Sequence, residues 1–169
     1  MFAINFRAVL SGFTWASALF LMYGSALAGI PIQHWTQPSG AQVYLVESPV
    51  IPMLDVRIEL EGGSRRDPPG KAGLANLMGG GLADGVRSVR HEPALDENAL
   101  AQAWAELGAS FSAGANGDHL SFSLRTLTEP KLLDQAVALA ARQLAEPSFP
   151  AALWQRDRPK WIGALKEAD

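Results

Sequence analysis

The sequence predicts an α+β fold, a two-layer sandwich in which helices cover one face of a mostly antiparallel sheet. Three observations predict it. Residues 54–61 alternate apolar and charged side chains, which is typical of a strand with one face on a core and one in water. Asn116-Gly117 separates two strand-like segments and is a strong hairpin signal. After Thr128, apolar side chains recur at helical spacing over four turns.

A hairpin is expected at the start of the folded part. Residues 32–36 and 41–47 are rich in β-forming side chains, and the turn residues Pro38-Ser39-Gly40 separate them. His34 in the first segment is interpreted as a surface or half-buried side chain. Pro49 and Pro52 then interrupt any ladder, so the strand at 54–61 is a separate element.

The second half of the chain is expected to alternate helices and strands. Asp96 is in a position to cap a helix that runs to Leu107 and ends at Gly108. Strands are predicted at 109–115 and 120–127, and Thr128 is expected to cap the long helix that follows.

A last helix is expected to start near Ala151, after the break at Glu146-Pro147-Ser148-Phe149-Pro150. Pro159 inside it predicts a kink or a restart. Trp104, Trp154 and Trp161 fall at helical spacings, which is more typical of core residues than of a ligand platform.

Length and composition limit the classes of protein. The 169 residues fit one domain of ordinary size, and 48% hydrophobic residues is usual for a globular chain. A net charge of −3 argues against nucleic acid as a partner. The absence of cysteine excludes disulfides and thiolate metal sites.

Residues 1–28 have the layout of a secretory signal peptide. Arg7 precedes an apolar run from Ala8 to Tyr23, and Ala26-Leu27-Ala28 supplies a small-residue cleavage site. Polar and small residues interrupt the run, and no basic stop-transfer cluster follows it, so cleavage is favoured over a membrane anchor. The domain is then expected to span 29–169 in the periplasm or outside the cell, without stable membrane insertion.

A glycine-rich stretch from Lys71 to Gly85 begins with a recognisable frame. Gly63-Ser64-Arg65, Gly70 and Gly73-Leu74-Ala75 together resemble the start of the active-site helix in pitrilysin/insulinase-type zinc peptidases, peptidase family M16. Three later segments resemble that family in the same order, and the resemblance covers about residues 33–168. They are residues 106–113, Asp118-His119 with the strand after it, and Glu146-Pro147-Ser148-Phe149-Pro150.

The residues that carry the family's chemistry are missing. In the family the frame continues as His-x-x-Glu-His, in which two His hold Zn²⁺ and the Glu activates a water. Here those three positions hold Asn76, Gly79 and Gly80. Glycine offers no ligand, and a neutral amide is a poor one for zinc. The third ligand, a Glu on the last helix, falls on Ala164. The resemblance therefore implies no catalytic residue and no metal in this chain.

The run Gly79-Gly80-Gly81 predicts that the helix frays or ends near Gly79, since each glycine weakens a helix by about 1 kcal/mol relative to alanine. A phosphate-binding loop is disfavoured, because neither Gly-Lys-Ser/Thr nor G-x-G-x-x-G spacing is present. A glycine-rich helix end that allows close packing is the preferred interpretation.

The resemblance implies an exported, non-catalytic subunit that pairs with a catalytic zinc-peptidase subunit carrying His-x-x-Glu-His. The pair would close a chamber around peptides or unfolded polypeptide, with zinc only in the catalytic partner. Two alternatives stay open. One is a scaffold or binding domain, or a degenerate fragment, without a peptidase role. The other is an active metallopeptidase with displaced ligands such as His91 and His119. The helical pattern continues to Asp169, which predicts truncation of the domain at its C-terminus.

Overall fold

The computed structural model describes residues 30–168, so the predicted signal peptide lies outside the described residues. The chain divides into two compact units, with the division after Pro49. In the first, β1 (Ile32–Thr36) and β2 (Gln42–Val46) form an antiparallel hairpin, which confirms the predicted one. His34 lies on its surface, where its ring stacks on Tyr44 with centroids 4.4 Å apart.

The second unit is built on a three-stranded antiparallel sheet with β7 in the centre, in the order β3-β7-β6. A short two-stranded pair, β4 with β5, lies beside it. The strands of this unit are β3 (Met53–Glu61), β4 (Gly85–Val86), β5 (Leu95–Asp96), β6 (Ser110–Ala115) and β7 (His119–Leu127).

Four helices accompany these strands in the described chain, and with the antiparallel sheets they confirm the α+β class. They are α1 (Leu74–Gly81), α2 (Glu97–Glu106), α3 (Pro130–Ala145) and α4 (Ala151–Ala168). Two single 3-10 turns occupy Ser64–Arg66 and Leu82–Asp84. Asp96 caps α2 as predicted, since its carboxylate accepts a hydrogen bond of 2.8 Å from the backbone N–H of Ala99.

One face of the sheet packs on the helices and forms the core. In β7, alternate residues are buried on this face, and the residues between them are polar and more exposed. The main cluster joins this face to α2 and α3 through Val86, Leu100, Trp104, Leu124, Ala136 and Ala140. A second cluster contains Leu82, Leu120 and Phe122.

The apolar side chains of β3 are less buried than the alternation in its sequence predicts. Ile58 and Leu60 pair with Phe122 and Leu120 and so belong to the core side of the sheet. They are nevertheless 42% and 50% exposed. The strand therefore presents an apolar row at the edge of the sheet.

A buried glutamine connects two helices and a turn. Gln143 in α3 is 3% exposed. Its Oε1 accepts a hydrogen bond of 2.8 Å from the indole N–H of Trp104, and its Nε2 donates one of 2.9 Å to the carbonyl of Leu82. Because both ends of the amide are paired inside the core, the residue fixes α2, α3 and the 3-10 turn in one arrangement.

The prediction that Thr128 caps the long helix is wrong. Glu129 is the cap, and its carboxylate accepts a hydrogen bond of 2.9 Å from the backbone N–H of Leu132. Thr128 instead extends the sheet region, since its backbone N–H donates to the carbonyl of Pro52. Pro130 at the first helical position marks the boundary, because proline is favoured there.

Two further expectations about helices need correction. The sequence predicts that the helix frays or ends near Gly79, but α1 continues through all three glycines to Gly81 and passes into the 3-10 turn. At Pro159 the sequence predicts a kink or a restart, and the restart is absent, because α4 is continuous across this residue.

Candidate functional site

A cleft of about 900 Å³ lies between α1 and α4 in the second unit. The α1 side contributes Gly73, Asn76 and Leu77. The α4 side contributes Trp154, Arg158, Trp161 and Ile162. Apart from Arg158 and Asn76, the side chains among these are apolar. The cleft is the candidate site because it is large and contains one of the positions that the sequence singles out, Asn76.

The start of α1 is positioned by a loop carboxylate. The chain turns into the helix through Gly73 with φ +92°, a left-handed conformation that favours glycine. Asp67 then accepts hydrogen bonds from the backbone N–H groups of Gly73 and Ala75, at 2.7 and 3.0 Å. The carboxylate also complements the positive end of the helix dipole. The Gly-x-x-Gly-Leu-Ala part of the frame therefore fixes where α1 begins.

The three glycines of α1 have different surroundings. Gly79 is buried, and a Cβ there would lie 3.4 Å from the backbone of Gly114 in β6. Gly81 faces the ring of Phe149, which would lie 2.9 Å from a Cβ. Gly80 is exposed and would place a Cβ in open space. Close packing of α1 on the sheet thus compensates for the low helix propensity of glycine, as the interpretation of a close-packed glycine run expects.

The four positions matched to zinc ligands and base do not form one cluster of donor side chains. Asn76 lines the cleft, Gly79 faces the sheet, Gly80 is exposed, and Ala164 lies in α4. A carboxamide, two hydrogens and a methyl group do not match the imidazole and carboxylate set that zinc requires. These residues do not fit a catalytic zinc ion, and the assignment of their roles stays a prediction.

The α4 side of the cleft corrects the expectation that Trp154 and Trp161 are core residues. Their side chains are 44% and 37% exposed, in contrast to Trp104 at 8%. Their ring centroids are 4.9 Å apart with an angle of 52° between the planes. The two indoles therefore contact each other and line the cleft, and they are not buried in the core.

A group of ion pairs on another side of α4 connects it to α2. Arg156 donates to both carboxylate oxygens of Glu97, at 2.8 and 3.2 Å, and also to Asp157 at 2.7 Å. Lys160 adds a contact of 3.1 Å to Asp157. Hydrogen bonds from Arg156 and Lys160 lower the pKa of Asp157 to about 2, and those from Arg156 lower that of Glu97. Both carboxylates are thus charged at neutral pH, and α4 is held to α2 by charge.

Asp84 lies near this group, and burial, then repulsion from Glu97 and Asp157, raises its pKa. A carboxyl whose folded pKa is raised lowers stability wherever it is ionised, and the loss disappears below its unfolded pKa. We therefore expect Asp84→Asn to raise the melting temperature at pH 7 and to leave it unchanged near pH 3. Thermal unfolding of both chains across this range measures the effect. An equal change at both values of pH would contradict it.

The two histidines considered as displaced ligands lie apart from the cleft lining. His91 and His119 are both exposed. Asp118 beside His119 forms an ion pair with Arg65. Within residues 30–168, no group of three or more His, Cys, Asp or Glu side chains is arranged to hold a metal ion.

Sequence reasoning missed Arg158, Leu77 and Ile162 as parts of the cleft. A signal for the α4 residues was available. Trp154, Arg158, Trp161 and Ile162 have the spacing of one helix face, so an arginine interrupts an otherwise apolar stripe. An arginine in that position indicates that the stripe meets something other than a closed core.

Three solved structures are similar to this chain. The peptidase M16 inactive domain from Pseudomonas fluorescens is 32% identical with a TM-score of 0.72, over 80% of this chain and 31% of its own. A protease from Helicobacter pylori is 18% identical with a TM-score of 0.60, over 76% of this chain and 29% of its own. The periplasmic protease PqqL from Escherichia coli is 19% identical with a TM-score of 0.66, over 82% of this chain and 15% of its own.

The chain thus spans less than a third of the length of each of these relatives. No family model matches the sequence, and no curated protein matches it. Among the helices of the described residues, none has both the length and the apolar character needed to cross a membrane. The two relatives below 25% identity show the fold, and the inactive domain at 32% identity adds a likeness in sequence. The resemblance drawn from the sequence is confirmed: the chain is a domain like those of the peptidase M16 family, and similar to a non-catalytic member of it.

Proposed function

We propose that the chain is an exported, non-catalytic peptidase-like subunit that pairs with a catalytic zinc-peptidase subunit and forms part of its peptide-binding chamber. The observation that carries the proposal is the cleft between α1 and α4. It contains Asn76 at a position matched to a zinc ligand, and its lining is mostly apolar instead of rich in imidazole and carboxylate. Such a cleft can hold a peptide but has no group to activate water.

Exposed apolar side chains on β3 and α3 support pairing with another subunit. Ile58, Leu60 and, on α3, Val137 are 42%, 50% and 46% exposed. A groove of about 210 Å³ between this strand and α3 is lined mainly by apolar side chains, Ile58 and Val137 among them. In the described sheet, β3 has a neighbour on one edge only. Exposed apolar rows and open sheet edges are typical of protein interfaces.

Pairing is tested with the purified chain and a zinc peptidase subunit that carries His-x-x-Glu-His from the same cell envelope. We expect the two to co-elute, and peptide hydrolysis to need both chains and zinc. Ile58→Glu should weaken association by about tenfold or more, since it places an unpaired charge in an apolar contact. Arg57→Glu, on the opposite face of the same strand, is the matched control and should keep association.

Two results would contradict the proposal. The first is a zinc-dependent peptidase activity of this chain alone that a chelator removes. The second is the absence of association with any such subunit from a sample that unfolds cooperatively.

Export is proposed from the apolar leader and its Ala26-Leu27-Ala28 end. The periplasmic location of one relative of the same fold supports it. Expression of the full gene should yield an envelope protein whose first residue is Gly29, as determined by N-terminal sequencing. An uncleaved chain that fractionates with the cytoplasm would contradict export.

A further inference from the structure

We propose that the cleft between α1 and α4 binds an extended peptide through an aromatic side chain that lies next to a carboxylate. This inference names the ligand class for the chamber and so rests on the proposed function. It is carried by two features that the cleft combines: an exposed pair of indole rings and an arginine without a carboxylate partner among the described residues.

The apolar part of the ligand is indicated by Trp154 and Trp161. Their planes are tilted by 52° at a centroid distance of 4.9 Å, so the two rings do not cover each other's faces completely. Both remain more than a third exposed, and Ile162 beside them is 39% exposed. Aromatic rings prefer tilted or offset contacts with one another, and exposed tryptophans in clefts contribute strongly to binding. An aromatic side chain of a peptide can therefore cover more of these exposed rings than a small side chain can.

The charged part of the ligand is indicated by Arg158. Its neighbours on α4, Arg156 and Lys160, are both held by carboxylates. In the part of the chain that the structure describes, Arg158 forms no such ion pair. It lines the cleft with Trp154 one turn before it and Trp161 one turn after it. Its guanidinium can therefore receive a carboxylate in a forked contact, and it disfavours a cationic ligand.

The amide of Asn76 is the remaining polar side chain in the lining. It is exposed and offers both a donor and an acceptor, which suits a peptide group. The backbone N–H groups of Gly73 and Ala75 at the start of α1 are already occupied by Asp67. Recognition in this cleft therefore depends on side chains. One arginine and a net charge of −3 disfavour nucleic acid, although its bases could also stack on the indoles.

The test is calorimetric titration of the full chain with four acetylated tetrapeptides. The first has three alanines and a C-terminal phenylalanine with a free carboxylate. Replacing its phenylalanine by alanine should weaken binding about thirtyfold. Replacing its carboxylate by an amide should weaken it about tenfold. A fourth peptide has an internal Phe-Asp and an amidated end, so its carboxylate comes from a side chain. Strong binding of the first or of the fourth peptide supports the proposal and shows whether the chain end or an acidic side chain supplies the carboxylate.

Variants of the chain place the ligand in the cleft. Trp161→Ala, and independently Trp154→Ala, should weaken the first peptide about thirtyfold. Arg158→Gln should remove the difference between the acid and the amide. Lys131→Gln, which removes a charge on α3 outside the cleft lining, is the matched control and should change the affinity for neither the acid nor the amide. Equal binding of all four peptides, an absence of binding, or unchanged affinity in the three cleft variants would overturn the proposal.

The same variants separate this inference from the proposed function. Co-elution with the catalytic subunit is measured for each one in parallel. If Trp161→Ala still pairs with that subunit but binds the phenylalanine peptide as tightly as the parent chain, the cleft assignment alone fails. If the parent chain binds the peptide as expected but does not pair with any zinc peptidase, the proposed function alone fails.

Discussion

Replacement of Gly63 by alanine is expected to destabilise the chain by about 3 kcal/mol. Gly63 is buried, and a Cβ on it would lie 2.4 Å from the carbonyl oxygen of Asn116 and 2.6 Å from backbone atoms of Asp118. These are backbone atoms, so no side-chain rotation relieves the overlap. To make room, the end of β3 must move away from the turn between β6 and β7.

That movement breaks backbone hydrogen bonds between the two segments. The N–H groups of Ser64 and Arg65 donate to the carbonyls of Asn116 and Gly117, at 2.8 and 2.9 Å. Urea unfolding of the variant and the parent chain measures the loss.

The neighbouring glycine provides the control for this prediction. A Cβ on Gly62 would lie 3.8 Å from the Cβ of Leu120, an ordinary van der Waals contact. We therefore expect Gly62→Ala to change stability by less than about 0.5 kcal/mol. Equal destabilisation by the two substitutions would show that the close approach at Gly63 does not determine the packing of this turn.

Replacement of Gln143 by leucine is expected to cost about 3 kcal/mol, even though it adds an apolar side chain to an apolar core. The substitution leaves the indole N–H of Trp104 and the carbonyl of Leu82 without the partners that the amide provides. A buried donor or acceptor that loses its partner costs its full desolvation energy. The expected result is a lower urea midpoint, with a change in Trp fluorescence of the folded state.

An exposed glutamine gives the comparison. Gln102 in α2 is exposed and bonds at 2.9 Å to Glu106 on the surface of the same helix. Gln102→Leu should therefore change stability by less than about 0.5 kcal/mol. If Gln143→Leu is as well tolerated as Gln102→Leu, the two buried hydrogen bonds contribute little net stability.

The elements that the sequence predicts well are those whose pattern is local. Strict alternation in β3, Asn116-Gly117 between β6 and β7, and Asp96 before α2 each depend on a few adjacent residues, and the structure confirms the three elements. The prediction that Thr128 caps α3 was wrong for a reason that is also local. Threonine is preferred over glutamate as a cap, but Pro130 at the first helical position assigns the role to Glu129.

The features that the sequence could not predict depend on contacts between distant residues. The spacing of Trp154 and Trp161 shows that they share a face of α4, but not whether that face meets a core or a cleft. The close approach of α1 to the sheet at Gly79 involves Gly114, which lies 35 residues later in the sequence. Likewise, nothing in the sequence distinguishes Gln143 from other polar residues, because its role depends on Trp104 and Leu82.

The packing of Gly79 bears on whether this domain could regain a catalytic glutamate during evolution. Under the predicted alignment, Gly79 occupies the position of the general base. The atoms nearest to a Cβ there belong to the backbone of Ala113 and Gly114, at 3.4 to 3.6 Å. These are ordinary van der Waals distances, so a Cβ fits beside β6, but Gly114 has no side chain that a second mutation could remove to make room for a longer one. Gly79 is also buried, so a change to glutamate would place a carboxylate at a buried position, which costs free energy unless the charge is paired. Asn76 and Gly80, at the two matched ligand positions, are exposed and do not share this barrier.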